Sequence, residues 1–186
     1  MENTILIGGI GGQGILMFGQ LLCQTALETT DKYITYFPSY SMEKRGGTSD
    51  CYVTLSDEPV GSPKAEKSDY VVIFANQALK KFEDALYPGG ALFIDTSVCT
   101  EKPNRTDVHI VEVPAGEIAR EIGDARVANL CMLGAFIGYT EILPPDKVLA
   151  TALKKIGAKR PELRALNEEA FNKGMEIGTA AKAAHV

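Results

Sequence analysis

The sequence predicts an α/β domain with a mostly parallel sheet. Three observations carry this. Short β-branched or apolar runs alternate with helix-period segments along the first two thirds of the chain. The first strand and helix are joined by a glycine-rich turn, the start of a βαβ unit. The last third is helical in pattern throughout. No internal repeat, low-complexity stretch or linker marks a boundary, so 1–186 reads as a single domain.

Residues 4–8 form a short apolar run that ends in glycine, a strand. Residues 14–27 put Ile15, Phe18, Leu22 and Ala26 at helical spacing. Residues 33–37 are rich in β-branched and aromatic side chains, and this strand is expected to stop at Pro38. Strand, turn, helix and strand make one βαβ unit with a right-handed crossover. A polar loop follows over 38–47, then a strand over 51–55. Pro59, Gly61 and Pro63 break the loop at 57–68. Residues 70–75 are almost continuously apolar, as a strand buried on both faces must be. A helix is expected over 76–86, ending before Pro88-Gly89-Gly90. A strand follows at 91–94, and an alternating one, near a sheet edge, at 108–113. Helices are expected at 115–122, 127–142, 146–156 and from 161 to about 184.

The chain is 45% hydrophobic and 23% charged, enough to bury a core without staples. Its net charge is −5, and no Lys/Arg block offers the basic face that nucleic-acid phosphates need. Lys154, Lys155, Lys159, Arg160 and Arg164 form a local basic group in a helical hairpin, read as solvated surface. No basic and apolar leader opens the chain, and its most apolar stretch, 127–139, is too short to cross a bilayer. A cytoplasmic protein with no membrane contact is expected. The same apolar stretch suggests more buried surface than one small domain needs, so the isolated chain is expected to form a homo-oligomer. Cys23, Cys51, Cys99 and Cys131 are widely spaced, without a C-x-x-C pair or a histidine at ligand spacing. They read as reduced, partly buried cysteines, and no metal site is expected.

The turn from Gly8 to Gly14 is the most informative local feature. Gly9, Gly11 and Gly14 satisfy G-x-G-x-x-G after a strand and before a helix. Such a turn brings backbone N–H groups to an anion at a helix N-terminus; the alternative is a tight turn made for packing alone. A dinucleotide site also wants an acid after the second strand to bind ribose. That strand ends Tyr36-Phe37-Pro38-Ser39, Asp31 precedes it, and Arg45 lies well into the next loop. A free-standing Rossmann-like nucleotide-binding protein is therefore the lesser alternative.

The turn is one of a series. GGIGGQGILMFGQLL is followed in order by PSYSMEKRGGTSDCYVTLSDEPVGSP, SDYVVIFANQ, YPGGALFIDTS, RVANLCMLGAF and NEEAFNKG. The set closely resembles the gamma subunit of the 2-oxoacid:ferredoxin oxidoreductases, the short gamma chains of the 2-oxoglutarate-type enzymes most of all. The resemblance runs from about Ile5 to Gly174. Ser41 departs from the glycine often found in the S-Y-G-x-x-x-RGG loop.

What the resemblance implies is a three-layer αβα domain and a division of labour. Partner chains bind thiamine diphosphate and Mg²⁺ and carry [4Fe–4S] clusters. The thiamine carbanion attacks the 2-oxo group, CO₂ leaves, electrons pass singly to ferredoxin, and coenzyme A takes the acyl group. The gamma chain alone holds none of these cofactors but is expected to help bind coenzyme A. Pyruvate and indolepyruvate-type enzymes share the fold, so the substrate stays open beside 2-oxoglutarate.

Gly9, Gly11, Gly12, Gln13 and Gly14 are the candidates to hold the coenzyme A pyrophosphate. Arg45, with Gly46 beside it, offers a planar contact to a phosphate or to a carboxylate across an interface, and Ser39 and Tyr40 can bond the same ligand. Asn129 sits in an otherwise apolar helix and bonds either a neighbouring loop or a ligand. Asn76-Gln77 lies where α/β sheets place ligands, and is equally a helix cap. His109 and His185 stand isolated in the sequence. No nucleophile–base arrangement is visible, and no catalytic residue is assigned.

Overall fold

The structure is a computed structural model that describes residues 1–40, 47–157 and 160–185. Six strands form a single sheet in the order β2-β3-β1-β4-β5-β6. β1 (Glu2–Ile10) leads through the glycine turn to α1 (Ile15–Thr29), then β2 (Tyr33–Tyr40) and β3 (Thr48–Ser56). β4 (Ser68–Ile73) is followed by α2 (Asn76–Phe82), β5 (Leu86–Asp95) and β6 (His109–Val113). Four helices complete the chain: α3 (Ala115–Ile122), α4 (Ala128–Thr140), α5 (Pro145–Gly157) and α6 (Arg164–His185).

β1 is parallel to β4, β4 to β5 and β5 to β6, while β3 runs antiparallel to both β1 and β2. β1 and β2 thus point the same way, as the expected βαβ unit requires. They are not neighbours, because β3 is inserted between them. The strand expected to stop at Pro38 continues to Tyr40. β2 is the outermost strand, and an edge tolerates a proline whose missing N–H faces outward. The helix expected over 76–86 stops at Phe82, and a 3₁₀ turn at Glu83–Ala85 takes its place. β5 then runs through Pro88-Gly89-Gly90, where the pairing with β4 slips and Gly89 adopts φ 78°. β6 lies at an edge, as its alternation predicts.

The two faces of the sheet are covered unequally. Ile5, Ile7, Val53, Val72 and Phe93 pack beneath α1 and α4, with α3, α5 and α6 joining the same core. Leu6, Val71, Ile73 and Leu92 on the opposite face meet α2 through Ala78, Leu79 and Phe82. This is an αβα arrangement with nearly all of its helix on one side.

α4 is apolar all round because it is enclosed all round. Phe136 stands on the sheet against Phe93 and Tyr70, with ring centres 5.3 and 5.6 Å away. The opposite side lies on α6, backbone to backbone. A Cβ on Gly134 would overlap the carbonyl of Phe171, and one on Gly174 the carbonyl of Cys131. Gly138 and Gly178 make the same close approach to Met175 and Ala135. The apolar stretch that suggested an exposed interface is therefore consumed inside the chain.

Gly134→Ala and Gly174→Ala should each force the helices apart and cost roughly 1–3 kcal/mol, the usual range for overpacking. Gly61→Ala is the control, since nothing among the described residues lies within 4 Å of its Cβ position. Denaturant unfolding should show both helix variants well below wild type and the control close to it.

Candidate functional site

The glycine turn leaves the carboxyl end of β1 and opens α1. Gly12 and Gly14 adopt φ 94° and 82°, a region that favours glycine. Gly14 is the N-cap of α1, with no side chain among the described residues capping the helix and no acid in its first turn. The first N–H groups of a helix have no partner within it, and they point outward with the positive end of the helix dipole. Gln13 braces the turn: its Oε1 accepts from Ile10 N–H at 2.8 Å, and its Nε2 donates to Phe74 O at 2.7 Å. Gly9 is a packing glycine, because a Cβ there would meet Gln13 Oε1 at 2.6 Å and Ile15 Cδ1 at 2.7 Å. Gly11 is different. Its φ is not positive, and nothing among the described residues lies within 4 Å of its Cβ position.

Gly12, Gln13 and Gly14 form one wall of an open cleft of about 510 Å³. Arg126 and Asn129 approach from the start of α4, Lys155 from the end of α5, and Arg160 from the turn before α6. Lys155 Nζ donates to Gln20 Oε1 at 2.8 Å, which holds the ammonium beside α1. Arg126 grips Asp124 through Nε at 2.8 Å, and its hydrogen bonds hold the Asp124 carboxyl down at about 2. Asn129 is 6% exposed, and its side-chain nitrogen crowds Gly14 so closely that no Cβ would fit. Its Oδ1 is buried with no hydrogen-bond partner among the described residues. Cations, the backbone N–H groups of the turn and two helix starts converge here, a composition that suits an anion. A cleft of about 600 Å³ at the opposite edge of the sheet has Lys64 and Lys67 but also Glu2, Glu66 and Asp69. No comparable excess of donors lines it.

Residues 4–177 match the pyruvate ferredoxin/flavodoxin oxidoreductase family. The chain belongs to that family. A 2-oxoglutarate synthase subunit KorC from Methanocaldococcus jannaschii is 35% identical over 179 residues, covering 95% of this chain and 94% of that one. The crystal structure of a keto/oxoacid ferredoxin oxidoreductase gamma subunit from Geobacter sulfurreducens PCA superposes with a TM-score of 0.84 at 26% identity, over 97% of this chain and 98% of that one. A 2-oxoglutarate:ferredoxin oxidoreductase from Magnetococcus marinus, solved with 2-oxoglutarate, coenzyme A and succinyl-CoA bound, gives 0.85 at 25% identity. It matches 96% of this chain and 31% of that longer one. The protein is a gamma subunit of a 2-oxoacid:ferredoxin oxidoreductase.

The gamma subunit brings together only part of the predicted site. Gly12, Gln13, Gly14 and Asn129 line the cleft. Gln13 spends its amide on the backbone and acts as a brace. Ser39 and Tyr40 pair with Asp50 and Ser49 on β3, so they end at the same sheet edge but one strand further out. Ser39 is not among the described residues that line the cleft. Arg45 and Gly46 lie outside the described residues, as does Lys159. Asn76 is occupied: its Oδ1 accepts from the N–H of Thr100 and Glu101, and its Nδ2 donates to Thr100 Oγ1, pinning a loop to α2. Sequence reasoning missed Arg126, Lys155 and Arg160. The last two were counted as solvated surface, and nothing in their spacing points to a turn more than a hundred residues earlier.

The described cysteines are buried thiols. Desolvation pushes Cys23, Cys99 and Cys131 up to about 12 and raises Cys51 as well, so all stay protonated at neutral pH. Iodoacetamide at pH 8 should leave the folded subunit unlabelled and modify every cysteine once it is unfolded. Mass spectrometry reads this directly, and rapid labelling of the native chain would show a thiol less sealed than its packing indicates.

Proposed function

We propose that the cleft binds the phosphates of coenzyme A for an oxidative decarboxylation carried out with partner subunits. The observation that carries this reading is the pairing of the glycine turn with Arg126, Lys155 and Arg160 in one cleft. Gly11 adds support. Its missing side chain is required neither by φ nor by packing among the described residues, whereas close approach of a ligand to its backbone would require it. The Magnetococcus marinus relative with coenzyme A bound points the same way.

In this reading the turn donates backbone N–H groups to phosphate oxygens, and the cations complete the charge balance. Asn129 holds the start of α4 against Gly14, so that turn and cations keep their spacing. Arg45 and Gly46 supply further contacts from the loop between β2 and β3. The acyl-forming chemistry belongs to the partners, where thiamine diphosphate with Mg²⁺ supplies the decarboxylation and [4Fe–4S] clusters pass electrons to ferredoxin. The described residues contain no group of metal-ligating side chains suited to a cluster. 2-Oxoglutarate is the first candidate substrate, in keeping with the name of the Methanocaldococcus jannaschii relative.

Gly12→Val is a poor probe, because φ 94° would strain any side chain there. Gly11→Val adds bulk without that strain. In the reconstituted complex it should raise the KM for coenzyme A at least about tenfold, the equivalent of 1.4 kcal/mol, and leave the KM for the 2-oxoacid unchanged. Lys155→Ala and Arg160→Ala should shift coenzyme A in the same direction, each by the roughly 1.5–3 kcal/mol of a charge-assisted contact. Circular dichroism checks the fold. A Gly11→Val complex that assembles and keeps its coenzyme A dependence would place the ligand elsewhere.

A further inference from the structure

The chain has two histidines, which stand far apart in sequence and come together in the fold. His109 opens β6 and His185 closes α6. Their rings lie 4.7 Å apart between centres with their planes 39° apart. Tyr139, near the end of α4, brings its hydroxyl to 3.4 Å from His185 Nδ1. A cleft of about 380 Å³ opens beside them, lined in part by His109, Tyr139, Tyr70 and Asp69. This is the amino-terminal edge of the parallel strands, at the far end of the sheet from the glycine turn.

Two imidazoles gain little from facing each other in water, and among the described residues no hydrogen bond joins either ring to a carboxylate. Among the described residues their hydrogen-bonding contact is the Tyr139 hydroxyl, at a long 3.4 Å from His185. Asp69, in the same cleft, is turned toward β1, where its Oδ2 accepts from the N–H and the hydroxyl of Thr4 at 2.7 and 2.8 Å. What such a pair can do is share an ion. Imidazole nitrogen is the ligand that zinc, copper and nickel favour. Each metal–nitrogen bond is about 2.0–2.1 Å, so two nitrogens on one tetrahedral ion stand about 3.3 Å apart. Rings with centres 4.7 Å apart reach that spacing by small rotations about their side-chain bonds. His185 is exposed on the last turn of α6 and free to make them.

We propose that His109 and His185 form a site for a borderline divalent metal ion of the zinc or copper class, with the Tyr139 hydroxyl beside it. The described residues offer no third His, Cys, Asp or Glu, so water completes the coordination and the ion exchanges readily. An ion held there ties the end of α6 to the edge strand. Because α6 carries α4 on its glycines, the ion braces the helix pair from the end opposite the coenzyme A cleft. The inference does not depend on what that cleft binds.

The test uses the full-length chain without an affinity tag, stripped with chelator and titrated with Zn²⁺ and, separately, with Cu²⁺. One ion per chain is expected, with a Cu²⁺ resonance spectrum showing coupling to two nitrogens. Zn²⁺ should raise the melting temperature. His109→Gln and His185→Gln should each weaken binding at least tenfold, and the double variant should lose both the binding and the melting shift. His185→Gln lies on an exposed helix end, so it reports even where His109→Gln disturbs the strand. Unchanged affinity in the double variant, or loss through one histidine with the other dispensable, would overturn the shared site.

Discussion

The close contact of α4 and α6 sets the position of almost everything else on the crowded face of the sheet. Four glycines let the two helices meet backbone to backbone, where any Cβ would overlap a carbonyl of the other helix. The approach lowers α4 onto the sheet, and Phe136 seats it among Phe18, Tyr70 and Phe93 with centres 5.3 to 5.8 Å away. Dispersion between closely packed atoms is individually small and collectively large. The position of α4 then determines where Asn129 arrives. Its side chain closes on Gly14, and through that contact the start of α1 and the start of α4 become two walls of one cleft.

The electrostatics of that cleft run against the protein as a whole. The chain carries a net charge of −5, yet Arg126, Lys155 and Arg160 converge beside backbone donors that no side chain among the described residues caps. A locally positive cleft on an acidic surface focuses an anion toward one place. Asp124 offsets the charge of Arg126 and fixes that guanidinium in position, so Lys155 and Arg160 carry the excess positive charge of the cleft. Lys155 is fixed likewise by Gln20. Cations held in place lose less freedom on binding than mobile ones, which is how a short list of side chains makes a site.

The strand–helix alternation, the edge position of β6 and the helices of the last third were legible because each depends on local periodicity. The places where the reading failed depend on distant partners. Nothing near Tyr33–Tyr40 shows that β3 will enter between β1 and β2, since that pairing is decided by residues 48–56. Pro38 read as a stop because its tolerance comes from the edge, which is a property of the sheet. The glycine turn and Asn129 were visible as unusual local chemistry. Lys155 and Arg160 were visible only as charge, and charge without a tertiary address reads as solvent-facing. The glycines of α4 and α6 make sense only as a pair, because each is required by the backbone of the other helix.

Gln13 explains why a turn with dinucleotide spacing does not open onto the usual dinucleotide crevice. In open α/β sheets the ligand crevice lies between the carboxyl ends of strands whose connections diverge. Here those strands are β1, whose helix covers one face, and β4, whose helix covers the other. Their ends are already joined by Phe74 N–H donating to Gly8 O at 2.9 Å. The Gln13 amide then closes the crevice, taking the Ile10 N–H and giving to Phe74 O. A ligand cannot settle there without breaking both bonds. The open side of the turn faces α4, α5 and the start of α6 instead, where the cations stand. The missing ribose acid after β2 follows from the same geometry, because β2 lies beyond β3 and its end is one strand too far from the turn to reach a ribose.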